Sequence, residues 1–146
     1  MRWACLLPLL LAAGCASGKK YDYATELPKG DNPMDALVRD EPYRAHLIQE
    51  RARTVMAPLL TGLPMEEALQ RLKAMGAECR EGPDKGAHCE YENSVSDLRY
   101  AKGELLEERV TWFDWTFTLS QHDGQATRLA ITVTSTRPPL GSPVSR

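Results

Sequence analysis

The sequence predicts an α+β domain, with two helices packed on one face of a three- to four-stranded antiparallel meander, after a leader and a tether. Three observations predict it. Apolar residues recur at helical spacing over 41–59 and again over 65–75. After Gly76 the pattern turns to alternation, clearest over 110–119, where Phe113, Trp115, Phe117 and Leu119 share one parity. Between the alternating runs stand two turn sequences, Gly82-Pro83-Asp84-Lys85-Gly86 and Gln121-His122-Asp123-Gly124.

In chain order, residues 1–14 carry one positive charge, Arg2, then an apolar run centred on 6–13, then small residues before Cys15. That order is a secretory leader, and the run is too short to span a membrane as a helix. Leu11-Ala12-Ala13-Gly14-Cys15 resembles a bacterial lipobox, with Ala12 where Leu is commoner. The alternative is an ordinary leader cut elsewhere, with Cys15 incidental. The resemblance implies cleavage before Cys15, which then carries a diacylglycerol thioether and an acylated amino group. One fatty chain binds a membrane marginally, and two or more anchor stably. Ala16 follows the cysteine and no Asp stands there, which implies a lipoprotein of the outer membrane facing the periplasm.

Loss of Arg2 lowers the basic count from 18 to 17 against 20 acidic residues, for a net charge of −3. The basic residues are scattered, so there is no electrostatic footprint for nucleic acid. No later run approaches the roughly 18–20 apolar residues of a membrane span. Four cysteines are written: Cys5 leaves with the leader, Cys15 takes lipid, and Cys79 and Cys89 remain. In an exported protein that even pair reads as a disulfide, which contributes ~2.5–3 kcal/mol in the chain-entropy account. The alternative is a metal site from Cys79, His88 and Cys89, which lacks both a C-x-x-C spacing and a fourth ligand.

Residues 15–40 are polar and broken by Pro28, Gly30 and Pro33, the composition of a flexible tether, with Asn32 able to cap a short helical turn through Val38. The domain is expected over 41–135. Asp40-Glu41-Pro42 reads as a helix start, and Tyr43, Leu47, Ile48, Met56 and Leu59 recur near helical spacing. Pro58 is expected to end that helix by Ala57. A second helix over 65–75 places Glu66 and Glu67 in its first turn and buries Ala68, Leu69, Leu72 and Met75, with Gly76 as a left-handed cap.

Strands are expected over 77–80 and 87–91. Pairing them about Asp84 sets Cys79 opposite Cys89 with both sulfurs on one face. Residues 92–108 read as a long irregular loop or an extra short strand, with Gly103 in a turn. In the 110–119 strand, Trp112 faces away from Trp115. It is either a protein-binding residue, with Tyr100 as the other candidate, or is covered by Tyr100 or the 92–108 stretch. Leu129, Ile131 and Val133 complete the core, and the proline-rich tail over 136–146 is expected to be extended and disordered.

The stretch Gly62-Leu63-Pro64-Met65-Glu66-Glu67-Ala68 resembles the Gly-x-Ser/Thr-x-x-Glu helix start of small outer-membrane lipoproteins of the SmpA/OmlA (BamE) family, with Pro64 in the Ser/Thr position. The aromatic strand followed by a glycine hairpin is similar to that family and to beta-lactamase-inhibitor-like domains. The resemblance implies a noncatalytic accessory module that binds an envelope or periplasmic protein, or alternatively a lipid-anchored inhibitor of a lysozyme- or beta-lactamase-type hydrolase. No His or Cys stands beside a plausible nucleophile, and His46, His88 and His122 are dispersed, so no catalytic residue, metal or cofactor is expected.

Overall fold

Alternation with a two-residue turn at each end makes a hairpin, and this chain does so twice around its longest strand. The computed structural model describes residue 18 and residues 20–137. Strand β3 (Ala87–Ala101) turns at Lys102-Gly103 into β4 (Glu104–His122), which turns at Asp123-Gly124 into β5 (Gln125–Thr136). Both residues of each turn have positive φ, 51° and 80° in the first and 50° and 78° in the second. That twist matches the strands of a two-residue hairpin. The outer edge of β3 is shared: β1 (Asp22–Glu26) pairs with its far end and β2 (Glu78–Glu81) with its start, giving a five-stranded antiparallel sheet.

Three helices accompany the sheet: α1 (Pro33–Asp40), α2 (Ala45–Leu60) and α3 (Met65–Ala74). Their buried residues follow helical spacing. Met34, Leu37 and Val38 in α1, Ile48, Ala52, Met56 and Leu60 in α2, and Ala68 and Leu72 in α3 join Phe113, Trp115, Phe117 and Leu119 in one core. The parity read from the sequence is observed, since Phe113 to Leu119 are buried at odd positions while Asp114 and Thr118 are exposed.

The α+β class stands, and several details are corrected. Residues 22–40 of the expected tether form β1 and α1 instead. The prolines and glycine that suggest a linker lie between elements or at N1 of α1, where proline lacks nothing the helix needs. Asn32 Oδ1 accepts the N–H of Asp35 at 2.9 Å, the expected cap, and α1 then runs two residues beyond Val38. Asp40-Glu41-Pro42 therefore closes one helix before the next begins at Ala45, and Tyr43 is half-exposed rather than in the core. Helix α2 carries Pro58 inside it and continues to Leu60, where the Thr61 N–H bonds the Ala57 carbonyl at 2.9 Å. Residues 92–108 are two long paired strands, not a loop. Residues 1–14, Cys15 and the tail beyond Arg137 lie outside the described residues.

A buried polar network fastens α1 to the sheet. Asp35 is 5% exposed, and its carboxylate is held by side chains that the sheet and the α1 entry present. It accepts hydrogen bonds from Tyr91 Oη at 2.9 Å, Asn93 Nδ2 at 2.8 Å and Asn32 Nδ2 at 3.3 Å. Trp115 Nε1 in turn donates to Asn93 Oδ1 at 3.0 Å. A Cβ on Gly30 would collide with Asp35 Oδ2, so this glycine is required by close approach. Replacing Asp35 leaves buried donors on Tyr91 and Asn93 unpaired, each costing about 1–3 kcal/mol. We expect Asp35→Ala to lower unfolding free energy by about 3 kcal/mol in urea titration, and the exposed Asp31→Ala to change it by less than about 0.5 kcal/mol.

Candidate functional site

Cys79 and Cys89 face each other in the β2–β3 register and are joined by a disulfide, Cα atoms 4.0 Å apart. The connecting turn contains Asp84 and Lys85 at positive φ and returns through the Gly82 N–H to Gly86 O bond, 2.9 Å. Both sulfurs are taken, which removes the metal alternative built on Cys79, His88 and Cys89. His88 Nε2 instead lies 3.0 Å from Glu90 Oε1. The bridge lies on the core face, where Cys89 is fully buried against the Phe117 rung.

The two expected binding residues are not brought together. Trp112 is half-buried opposite Ser94, and Tyr100 pairs with Leu105 next to the hairpin turn. Six positions along β3 separate these two rungs, about 20 Å at 3.3 Å per residue. Tyr100 therefore does not cover Trp112.

The structure assembles a different cluster, centred on Asp97. Four segments meet there: Thr25 from β1, Tyr43 from the α1–α2 connection, Asp97 from β3 and Arg137 just after β5. Tyr43 Oη donates to Asp97 Oδ1 at 2.6 Å, Thr25 Oγ1 to the same oxygen at 3.2 Å, and Arg137 Nη2 to Oδ2 at 2.9 Å. The Arg137 guanidinium also lies over the Tyr43 ring, 5.7 Å from its centroid. Arg109 stands across from Asp97 in the register, and Arg99 across from Glu107. Arg99 reaches Glu107 at 3.0 Å, whereas Arg109 makes only a 3.7 Å approach to it. Thr25, Asp97, Arg99, Glu107, Arg109 and Arg137 line an open cleft of about 300 Å³.

Three guanidiniums against two carboxylates leave the cleft with a net positive charge. Arg109 is the least engaged cation, and its side chain is about one-quarter exposed. Such a cleft suits a carboxylate or another planar anion, which a guanidinium binds with paired hydrogen bonds. Sequence reasoning missed the cluster because it lies in the stretch read as a loop. Folding the chain at Lys102-Gly103 alone would set Asp97 opposite Glu108; Asp97 faces Arg109 because Leu106 is an extra residue in β4, and no sequence signal marked that bulge.

The opposite face of the sheet is acidic. Glu78 pairs with Glu90, and Glu92 with Asp114, all exposed. Among the described residues no group of three or more His, Cys, Asp or Glu is placed to hold a metal ion, and no helix is long and apolar enough to cross a membrane. No family model matches this sequence, and no curated protein or solved structure shows significant similarity to it.

Burial, and then the hydrogen bond to Asp97, raises the Tyr43 pKa above its ordinary 10.0. Burial also raises that of Tyr91, with the Asp35 hydrogen bond adding to it. A raised phenol pKa means that the fold prefers the neutral form. The stabilisation is fully present below pH 10 and is lost as pH rises through the folded-state values. We expect unfolding free energy to fall as pH rises above 10, and Tyr91→Phe to flatten part of that fall. An equally steep fall in the variant would show that Tyr91 does not carry it.

Proposed function

We propose that the protein is a noncatalytic lipoprotein of the outer membrane, held by lipid on Cys15 on the periplasmic side, and that it binds another envelope protein. The lipobox-like Leu11–Cys15 supports the anchor and the compartment. The observation that carries the binding role is the Asp97 cleft, where Arg99 and Arg109 on paired strands and Arg137 just after β5 are steadied by Asp97 and Glu107. Its chemistry is recognition of acidic groups, and complementary charge of this kind gives specificity and a faster encounter. In this reading the helices cover the Trp115–Phe117 stretch of one face of the sheet, and the partner approaches the same face further along, where the cleft opens.

The test is crosslinking of the intact protein in its own envelope, followed by identification of what is captured. A specific envelope protein should be recovered, and Arg109→Glu should reduce its recovery about tenfold while leaving the thermal midpoint within about 4 °C. Equal recovery with Arg109→Glu would remove the cleft from the interface. A chain that turned over a substrate and captured no specific protein would overturn the binding role.

A further inference from the structure

The β3–β4 hairpin ends in an apolar tip. Leu105 and Leu106 are 51% and 50% exposed, on consecutive residues just after the Lys102-Gly103 turn. The register shifts here, with Arg99 opposite Glu107 but Tyr100 opposite Leu105, so Leu106 is an extra, unpaired residue. Such a bulge bends the strand and re-aims its side chains. Beside the tip runs the start of β1, with Asp22 opposite Tyr100. Tyr23 is 74% exposed, and Tyr21 is exposed under the Arg99 guanidinium.

The direction of β1 decides what this tip meets. The strand runs away from the tip, so the chain that precedes Asp22 leaves from the tip end of the molecule. Six residues lie between Cys15 and Asp22, so the seven steps reach at most about 25 Å at 3.3–3.6 Å per residue. The opposite turn, Asp123-Gly124, lies at the far end of the 19-residue strand β4, about 60 Å away along its contour. An anchor on Cys15 therefore holds the Leu105–Leu106 end against the bilayer and the other end away from it.

We propose that this hairpin tip is a membrane-contact surface, in which Leu105 and Leu106 enter the lipid interface flanked by Tyr21 and Tyr23. The proposal rests on lipid attachment at Cys15. The residues suit the place. Tyrosines favour the headgroup level and leucines the acyl boundary, while Lys20 and Lys102 extend their charged ends to water. Over residues 19–22 and 99–108, Lys19, Lys20, Arg99 and Lys102 are balanced by Asp22, Glu104, Glu107 and Glu108, so the local charge is zero and the contact is apolar in origin.

Amide hydrogen exchange of the mature chain on vesicles tests this. The chain from Cys15 is coupled through that thiol to a maleimide lipid, so tip contact is read whether or not cells acylate the cysteine. The mass of the native N-terminal peptide tests acylation separately. On zwitterionic phosphatidylcholine vesicles, amides over 102–106 should exchange about fivefold more slowly than in solution, and those at Asp123-Gly124 should not change. Leu105→Ser with Leu106→Ser should restore the solution rate at an unchanged near-ultraviolet circular dichroism spectrum. Equal exchange at the tip with and without vesicles would overturn the proposal. So would protection that needs anionic lipid, or that grows with protein concentration without vesicles and thereby marks a second copy as the occupant. An unacylated Cys15 in the native peptide would overturn the anchor reading alone.

Discussion

The Asp35 carboxylate is the constraint on which the N-terminal third depends. A nearly buried carboxylate is costly unless its oxygens are hydrogen-bonded. Here the donors are three neutral side chains from two places: Asn32 before α1, and Tyr91 and Asn93 on β3. Arg39 strengthens the same corner by donating to the carbonyls of Pro28 and Gly30 at 2.9 and 2.7 Å. These bonds pin the 28–32 turn between β1 and α1, so they determine where β1 lies along the β3 edge. The cleft inherits that placement, because Thr25 and the α1–α2 connection that carries Tyr43 follow from it.

The open edges are handled by separate means. The outer edge of β3 is divided between β2, locked by Cys79–Cys89, and β1. The outer edge of β5 is met by other segments. In the α2–α3 connection the Gly62 N–H donates to the Ala126 carbonyl and the Leu63 carbonyl accepts the Ala126 N–H, and Gln49 Oε1 of α2 accepts the Val133 N–H at 2.8 Å. Unpaired strand edges template association with other chains, so these bonds favour the lone fold as well as stabilising it.

Legibility in the sequence followed the strength of local periodicity. The 110–119 strand, the α3 stripe with Gly76 at φ 99°, and the Cys79–Cys89 register were all readable, because period and turn chemistry agreed at those points. The β3–β4 hairpin was not readable as a hairpin. Its turn is Lys-Gly rather than Asn-Gly or Asp-Gly, and Asp97, Arg99, Glu107 and Arg109 put charges on the face where strand patterns show apolar residues. Those same charges make the cleft, so the function-bearing part of the sheet is the part that breaks the pattern. Helix α1 was half visible. Its Asn32 cap showed, but its burial depends on Tyr91 and Asn93, nearly sixty residues on.

The two faces of the central rungs pull in opposite directions, and magnitudes decide the outcome. On the exposed face Glu78 stands opposite Glu90 and Glu92 opposite Asp114, and a like-charge pair opposes the register by roughly 0.2–1 kcal/mol. On the covered face the adjacent rungs are Cys79–Cys89–Phe117–Ile131 and Tyr91–Trp115–Val133. Trp115 and Phe117 stack at 6.2 Å there, and burying each large side chain is worth about 1.5–3 kcal/mol. A slip of one residue would turn Trp115 and Phe117 out and the carboxylates in. The core rungs therefore hold the acidic face in register, and that face can stay acidic because the sheet does not depend on it for pairing.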